Sequence, residues 1–231
     1  MAIERDQLIF LLEMTKSGSS IQEYVEKGLW IPIDKMQLLI EKLQNEGCIN
    51  LSGGKFEATF ETRIKLAVKA VGLGADIERV SQYLSWQEFE EMAALALSFN
   101  GYAPKRNVRF KVVKKRWEID AVGFRKPFVI CIDCKHWRHG MHFSTLKRMV
   151  LSQINRVEAF SEFAQNSFAG MKCGIWNEAE FVPVILSLIP STYRFIDDVP
   201  IVPILGIQDF ISQLPFQLTS LKHFHRKISH L

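Results

Sequence analysis

The stretch Phe128-Val129-Ile130-Cys131-Ile132-Asp133-Cys134-Lys135 decides how this chain is read. As a strand, it sends Phe128, Ile130 and Ile132 to one face and Val129, Cys131, Asp133 and Lys135 to the other. An acid and a lysine thus emerge side by side from an apolar run. Upstream, Trp117-Glu118-Ile119-Asp120-Ala121 alternates in the same way, with Glu118 and Asp120 opposite Trp117, Ile119 and Ala121. A turn at Gly123 to Pro127 is expected to join the two strands. Facing positions on adjacent antiparallel strands lie roughly 4.5 to 5.5 Å apart at Cβ, close enough for Asp120 and Asp133 to share a cation. Two like charges in a half-buried site repel, so the pair requires compensation. Lys135 is one candidate, and Mg²⁺ held by carboxylates, waters and substrate phosphates is the other.

The helix expected over Trp86 to Asn100 places Phe89, Met92, Ala93, Ala96 and Leu97 on one stripe. Glu90 falls at the edge of that stripe and Glu91 points away from it, so Glu90 is the carboxylate able to reach a core site.

The ordered set of Glu90, Gly101-Tyr102, Ile119-Asp120 and Asp133-Cys134-Lys135 resembles the PD-(D/E)xK nuclease superfamily. The nearest likeness is to the archaeal-type Holliday junction resolvases and the Mrr-like restriction endonucleases, over roughly Trp86 to Phe163. The resemblance implies a restriction-endonuclease-like α/β domain. Its metal site would comprise Asp120, Asp133 and Glu90 with Mg²⁺ or Mn²⁺ bound, and Lys135 would stabilise developing charge or orient the attacking water. It also implies a DNA substrate, and, for a junction-cutting enzyme, a homodimer. Resolvase-like relatives often carry a glutamine on the following helix, a position that Gln153 matches. Two departures stand out: Ile119 occupies the place of the motif's proline, and Asp133 stands where resolvases usually have Glu.

The bulk properties agree with a folded protein. With 231 residues, 48% of them hydrophobic and 17 of them Phe, one large domain or two small ones can bury a core. A net charge of +4 is too mild by itself to imply nucleic acid. Its distribution says more, since Lys105, Arg106, Arg109, Lys111, Lys114, Lys115 and Arg116 form an acid-free run directly before the carboxylate strand. Beside a nuclease site such a run reads as a phosphate-contacting rim; otherwise it is a solvated hairpin. The sequence shows neither a membrane span nor a signal peptide, which points to a cytosolic protein with reduced cysteines.

Towards the N-terminus, helices are expected at 3–15, Ser20 to Lys27 and from Asp34, a plausible N-cap, to Gly47. A small hairpin through Ser52-Gly53-Gly54-Lys55 follows. This segment resembles winged helix-turn-helix domains, in which the third helix, here carrying Lys35 and Lys42, docks in a major groove; a protein-binding or dimerisation role is the alternative. Helices at Glu61 to Val71 and Asp76 to Leu84 are expected to bridge the winged helix, residues 1–84, to the nuclease domain, residues 85–231.

After the core strand, Phe143 to Phe168 reads as a long amphipathic helix, Phe181 to Ile189 and Val199 to Leu205 as buried strands, and Gln208 to Gln213 as a short helix. The residues from Phe216 onward read as a polar tail. Cys131 and Cys134, followed by His136, His139 and His142, raise a zinc site, but strand alternation sends the two cysteines to opposite faces, leaving at most Cys134 with loop histidines. No P-loop or dinucleotide fingerprint is present. The sequence therefore reads as a metal-dependent DNA endonuclease with an appended winged helix. The alternative is a non-catalytic DNA- or protein-binding scaffold.

Overall fold

The structure is a computed structural model that describes residues 2–17, 33–52, 55–76, 79–80, 82–135, 141–167, 176–188 and 190–228. Two compact units divide the chain, Met1–Glu88 and Phe89–Leu231.

In the first unit, α1 (Ala2–Ser17), α2 (Ile33–Asn45) and α3 (Phe60–Gly72) accompany a two-stranded antiparallel sheet of β1 (Asn50–Ser52) and β2 (Lys55–Glu57). The α2 helix is strongly amphipathic: Met36, Leu39, Ile40 and Leu43 are buried, whereas Leu38 stays 69% exposed. Asp34 lies inside its first turn rather than at the cap. The helix expected at Ser20 to Lys27 lies outside the described residues. Thr59 caps α3, its side chain accepting from the Thr62 N–H.

A buried cation ties this unit together. Arg63, on α3, is only 6% exposed. Its Nε donates to Glu88 Oε1 at 2.5 Å, and its Nη groups donate to the carbonyls of Leu12 at 2.7 Å and Tyr83 at 2.5 Å and to the Thr15 hydroxyl. Glu88 is also half of a capping box. Its Oε2 accepts the Ser85 N–H at 2.6 Å while the Glu88 N–H donates to Ser85 Oγ at 3.2 Å, which starts the helix α4 (Trp86–Phe99).

In the second unit a seven-stranded mixed sheet is built from β3 (Ala103–Val112), β4 (Lys115–Arg125), β5 (Phe128–Lys135), β6 (Glu178–Ser187), β7 (Phe195–Ile196), β8 (Val199–Pro203) and β9 (Phe224–Lys227). β3, β4 and β5 form an antiparallel meander, and β6 then pairs parallel to β5 after a crossover through the helix α5 (Phe143–Ser167). A parallel neighbour needs such a crossover, and the long apolar stripe of α5 supplies it. The expected α/β class with a mixed central sheet flanked by helices is therefore present, an architecture consistent with a restriction-endonuclease-like domain.

The edge of β6 is shared. β9 pairs antiparallel with Glu178 to Phe181, and β8 pairs parallel with Ile185 to Ser187. Between these partners stands Pro183, which has no N–H to leave unsatisfied where neither strand reaches. Three sequence expectations change here. The tail beyond Phe216 is not simply polar, because Phe224 and Ile228 are buried and β9 completes the sheet. The short helix is α6 (Ile207–Gln217), longer at its C-terminal end than expected. β4 runs through Gly123 to Arg125, leaving the turn to Lys126-Pro127.

Both faces of the sheet are covered. On one side Phe160, Val157 and Ala164 of α5 pack with Phe110, Val122, Val129, Cys131 and Phe181, and Phe160 meets Phe181 edge to face at 5.9 Å. On the other, Leu97 of α4 lies so close to Gly123 that a Cβ there would stand 2.5 Å from its Cδ2. Leu97 is fully buried and has little room to move. Gly123→Ala is thus expected to overpack this contact and lower stability by about 1–3 kcal/mol, measured by urea unfolding. In the first unit, Arg63→Ala strands the Glu88 carboxylate and is expected to cost about 3–5 kcal/mol in the same assay. A loss below half a kilocalorie, within about the range of ordinary surface substitutions, would show that Arg63 is not the tie it looks.

Candidate active site

β4 and β5 stop pairing with each other where the acids stand. On β4 and β5 the last partners are Ala121 and Ile132, so Asp120 and Asp133 face each other one step beyond the end of the ladder. On the other side of β4, Asn107 has a positive φ of 50° and no registered partner, although Arg106 pairs with Ala121 and Val108 with Ile119. Asp120 thus sits in a local opening between its two neighbouring strands. Its side chain replaces one missing ladder bond, with Oδ2 accepting the Cys134 N–H at 2.8 Å.

Asp133 is 3% exposed and both of its oxygens are held by cations. Lys135 Nζ lies 2.8 Å from Oδ2, and Arg156 Nη1, from α5, lies 2.6 Å from Oδ1. Arg156 Nη1 also donates to Gln153 Oε1 at 2.9 Å. Gln153 is fully buried, and its Nε2 donates to the Cys131 carbonyl at 2.9 Å and towards that of Val184 at 3.5 Å. Because carbonyls only accept, these bonds fix the orientation of the Gln153 amide and aim its oxygen at Arg156.

Electrostatics group Glu90 with the same cluster. Burial, first, and then the Asp133 charge push the Asp120 carboxyl up to about 6, with Glu90 adding to the effect and the Cys134 N–H and Lys135 opposing it. The Cys134 thiol is held well above its ordinary value by burial and by the charges of Asp120, Asp133 and Glu90. Glu90 itself is 6% exposed on α4. Five sequence-predicted residues, Glu90, Asp120, Asp133, Lys135 and Gln153, therefore lie in one neighbourhood.

Arg156 is not among the residues expected from the sequence. The available signal was its spacing of three from Gln153, which puts both on one helical face.

The basic run divides along the β3–β4 hairpin. Arg106 lies 2.5 Å from Glu91 Oε2, and Arg109 Nε donates to Glu118 Oε2 at 3.0 Å, so these two cations are already partnered. Lys105 is half-buried with its Nζ 5.9 Å from the Phe124 ring centre. Lys111, Lys114, Lys115 and Arg116 are exposed at the hairpin tip, where Lys115 Nζ stands 3.5 Å above the Trp117 ring. In the first unit Lys35 is exposed, and Lys42 lies 3.4 Å from Glu4. His136 and His139 lie outside the described residues, while Cys131 and Cys134 are both fully buried.

Among the described residues no three His, Cys, Asp or Glu side chains stand close enough to hold a metal ion by themselves. Asp120 and Asp133 nevertheless fit Mg²⁺, which is commonly bound through one or two carboxylates and completes its shell with water and phosphate oxygens. A divalent ion would also relieve the repulsion that raises Asp120.

Without such an ion, the raised carboxyl has a consequence for stability. The folded protein binds the Asp120 proton from about pH 6 downward, the unfolded chain only near the ordinary carboxyl value of 3.8, so stability attributable to this group increases as pH falls through that window. Asp120→Asn is expected to remove the penalty. In EDTA the variant should exceed the wild type in melting temperature above pH 6, with the gap closing towards pH 4.

The chain matches no protein-family model. An uncharacterized protein of Archaeoglobus fulgidus is 29% identical over 136 residues, covering 58% of this chain and 95% of that protein. Two solved structures are similar at low overlap. Protein VC1899 from Vibrio cholerae gives a TM-score of 0.34 at 14% identity, covering 95% of this chain and 57% of its own. Can2 from Sulfobacillus thermosulfidooxidans, solved in complex with cyclic tetra-adenylate, gives 0.36 at 15% identity, covering 93% and 50%. The chain thus spans only about half the length of these two proteins. Among the described residues, no helix is long and apolar enough to cross a membrane.

Proposed function

We propose that the second unit is a metal-dependent endonuclease acting on DNA. The observation that carries this reading is the position of Asp120 and Asp133, facing each other where the β4–β5 ladder ends, with Lys135 at 2.8 Å from Asp133. Asp120 and Asp133 hold Mg²⁺ or Mn²⁺, with Glu90 contributing through the same field. Such an ion supplies Lewis-acid polarisation of a phosphate and a lowered pKa for bound water. Lys135 balances the charge that develops on the phosphate oxygens, the role that a fixed ammonium performs best in a half-buried site. The exposed tip of the β3–β4 hairpin, with Lys111, Lys114, Lys115 and Arg116, contacts the phosphodiester backbone without reading sequence. The first unit acts as a winged helix that delivers the enzyme to its target, and a homodimer accounts for cutting both strands of a duplex or junction in the cytoplasm.

One observation favours a second reading, a non-catalytic nucleic-acid- or protein-binding scaffold. Both Asp133 oxygens are already neutralised by Lys135 and Arg156, so the cluster is electrically supported without a metal.

Cleavage of a labelled panel of linear duplex, single strand, flap and four-way junction DNA in Mg²⁺, Mn²⁺ or EDTA separates the two. Metal-dependent cutting is expected from the wild type, with a loss of about a hundredfold or more in Asp133→Ala and Lys135→Ala, the scale seen when a positioned electrostatic group is removed. Binding without cutting under every condition would establish the scaffold.

A further inference from the structure

The Arg156 guanidinium has no assigned role in the reading above, yet it makes the shortest polar contact to Asp133 in the cluster, at 2.6 Å. Three features distinguish this contact from an incidental surface pair. Asp133 is nearly fully buried, so the contact lies away from bulk screening. Arg156 is not free to wander, because the same Nη1 is held at 2.9 Å by Gln153 Oε1. Gln153 is in turn pinned to the backbone of β5 through the Cys131 carbonyl, two residues before Asp133. A continuous relay therefore runs from the strand that carries the acid, through the helix that covers it, back to the acid.

Asp133 has two oxygens, and Lys135 and Arg156 take one each. Lys135 belongs to the same strand as Asp133 and takes Oδ2. Arg156 reaches Oδ1 from α5 and has a second acceptor, Gln153 Oε1, that can keep one of its N–H groups satisfied if Asp133 is given up. Resting on the metal reading, we propose that Arg156 is the exchangeable counter-cation of the metal-free site: it holds Asp133 Oδ1 until a divalent ion is bound, then releases that oxygen while remaining anchored on Gln153. Gln153 is accordingly a positioning residue that acts through Arg156, not a group that touches substrate. Asp133 thus has two cationic partners in either state, Lys135 with Arg156 before the ion and Lys135 with the ion after it, which explains how this buried acid is tolerated before metal arrives.

The relay predicts opposite signs for two measurements on one variant. Arg156→Gln removes the competing charge at nearly the same length. In EDTA its melting temperature falls below wild type, because Asp133 loses a buried partner. In titration calorimetry of the full chain with Mn²⁺ and no nucleic acid, the same variant binds about tenfold or more tightly than wild type, the scale of one neighbouring charge removed. Mn²⁺ also raises its melting temperature by more than it raises that of the wild type. Arg156→Lys restores wild-type behaviour in both assays, and Asp133→Asn in the Arg156→Gln background abolishes the gain.

A merely structural Arg156 would lower the melting temperature and leave Mn²⁺ affinity unchanged. Wild-type binding that is unchanged or weakened in Arg156→Gln overturns the exchange and leaves the metal reading standing. Absence of Mn²⁺ binding in both proteins overturns the metal reading and the exchange together.

Discussion

Two carboxylates brought face to face in a half-buried site must be neutralised, and much of the second unit is arranged around that requirement. The sheet delivers Asp120 and Asp133 to the end of a ladder, and the strands part there, so that one acid spends an oxygen on a backbone N–H and the other is gripped by two cations. A continued ladder would have satisfied the Cys134 N–H through the backbone and taken this donor from the Asp120 side chain. The break in pairing is therefore part of the site. It is reinforced on the other side by Asn107, whose left-handed backbone interrupts β3 opposite the same acid. Asparagine adopts that conformation at less cost than most residues, so the interruption is built into the residue type.

The strand core was legible because its signals are local. An apolar run of β-branched residues interrupted by Asp133 and Lys135 can only be read one way once it is a strand, and α5 announces itself through Leu146, Met149, Val150, Ile154, Val157, Phe160 and Phe163 at helical spacing. β9 was not legible. Phe224-His225-Arg226-Lys227 has one apolar residue and three polar ones, and it becomes a strand because the Glu178 to Phe181 edge of β6 offers it unpaired backbone groups. β7, with only Phe195 and Ile196, depends in the same way on β8.

The candidate site divides similarly. Asp120, Asp133 and Lys135 were read from one hairpin, where sequence spacing translates directly into register. Arg156 comes from a helix further along the chain, and spacing along α5 says only that it shares a face with Gln153. What makes it a partner of Asp133 is the docking of α5 against β5, a tertiary fact with no local trace. The basic run shows the opposite error. Its seven cations looked uncompensated because no acid lies among them in sequence, but the neighbouring strand contributes Glu118 and α4 contributes Glu91. Charge read along a chain overstates charge presented on a surface, and the surplus shrinks to the hairpin tip.

The two buried charge networks of this protein make the functional assignment more than a matter of position. In the first unit Arg63 is matched by Glu88, two carbonyls and a hydroxyl, while Glu88 spends its remaining oxygen on the Ser85 N–H. Every strong group there has a complement, as expected of an ion pair whose work is to hold helices in place. The acid cluster of the second unit is not balanced in this way. Asp133 has two cations, Asp120 has a single backbone donor, and burial together with its neighbours drives its carboxyl up to about 6. Folding alone gives no reason to place a second acid beside Asp133 at that cost. A group that arrives only when the site is in use, bringing positive charge to both carboxylates, does give one.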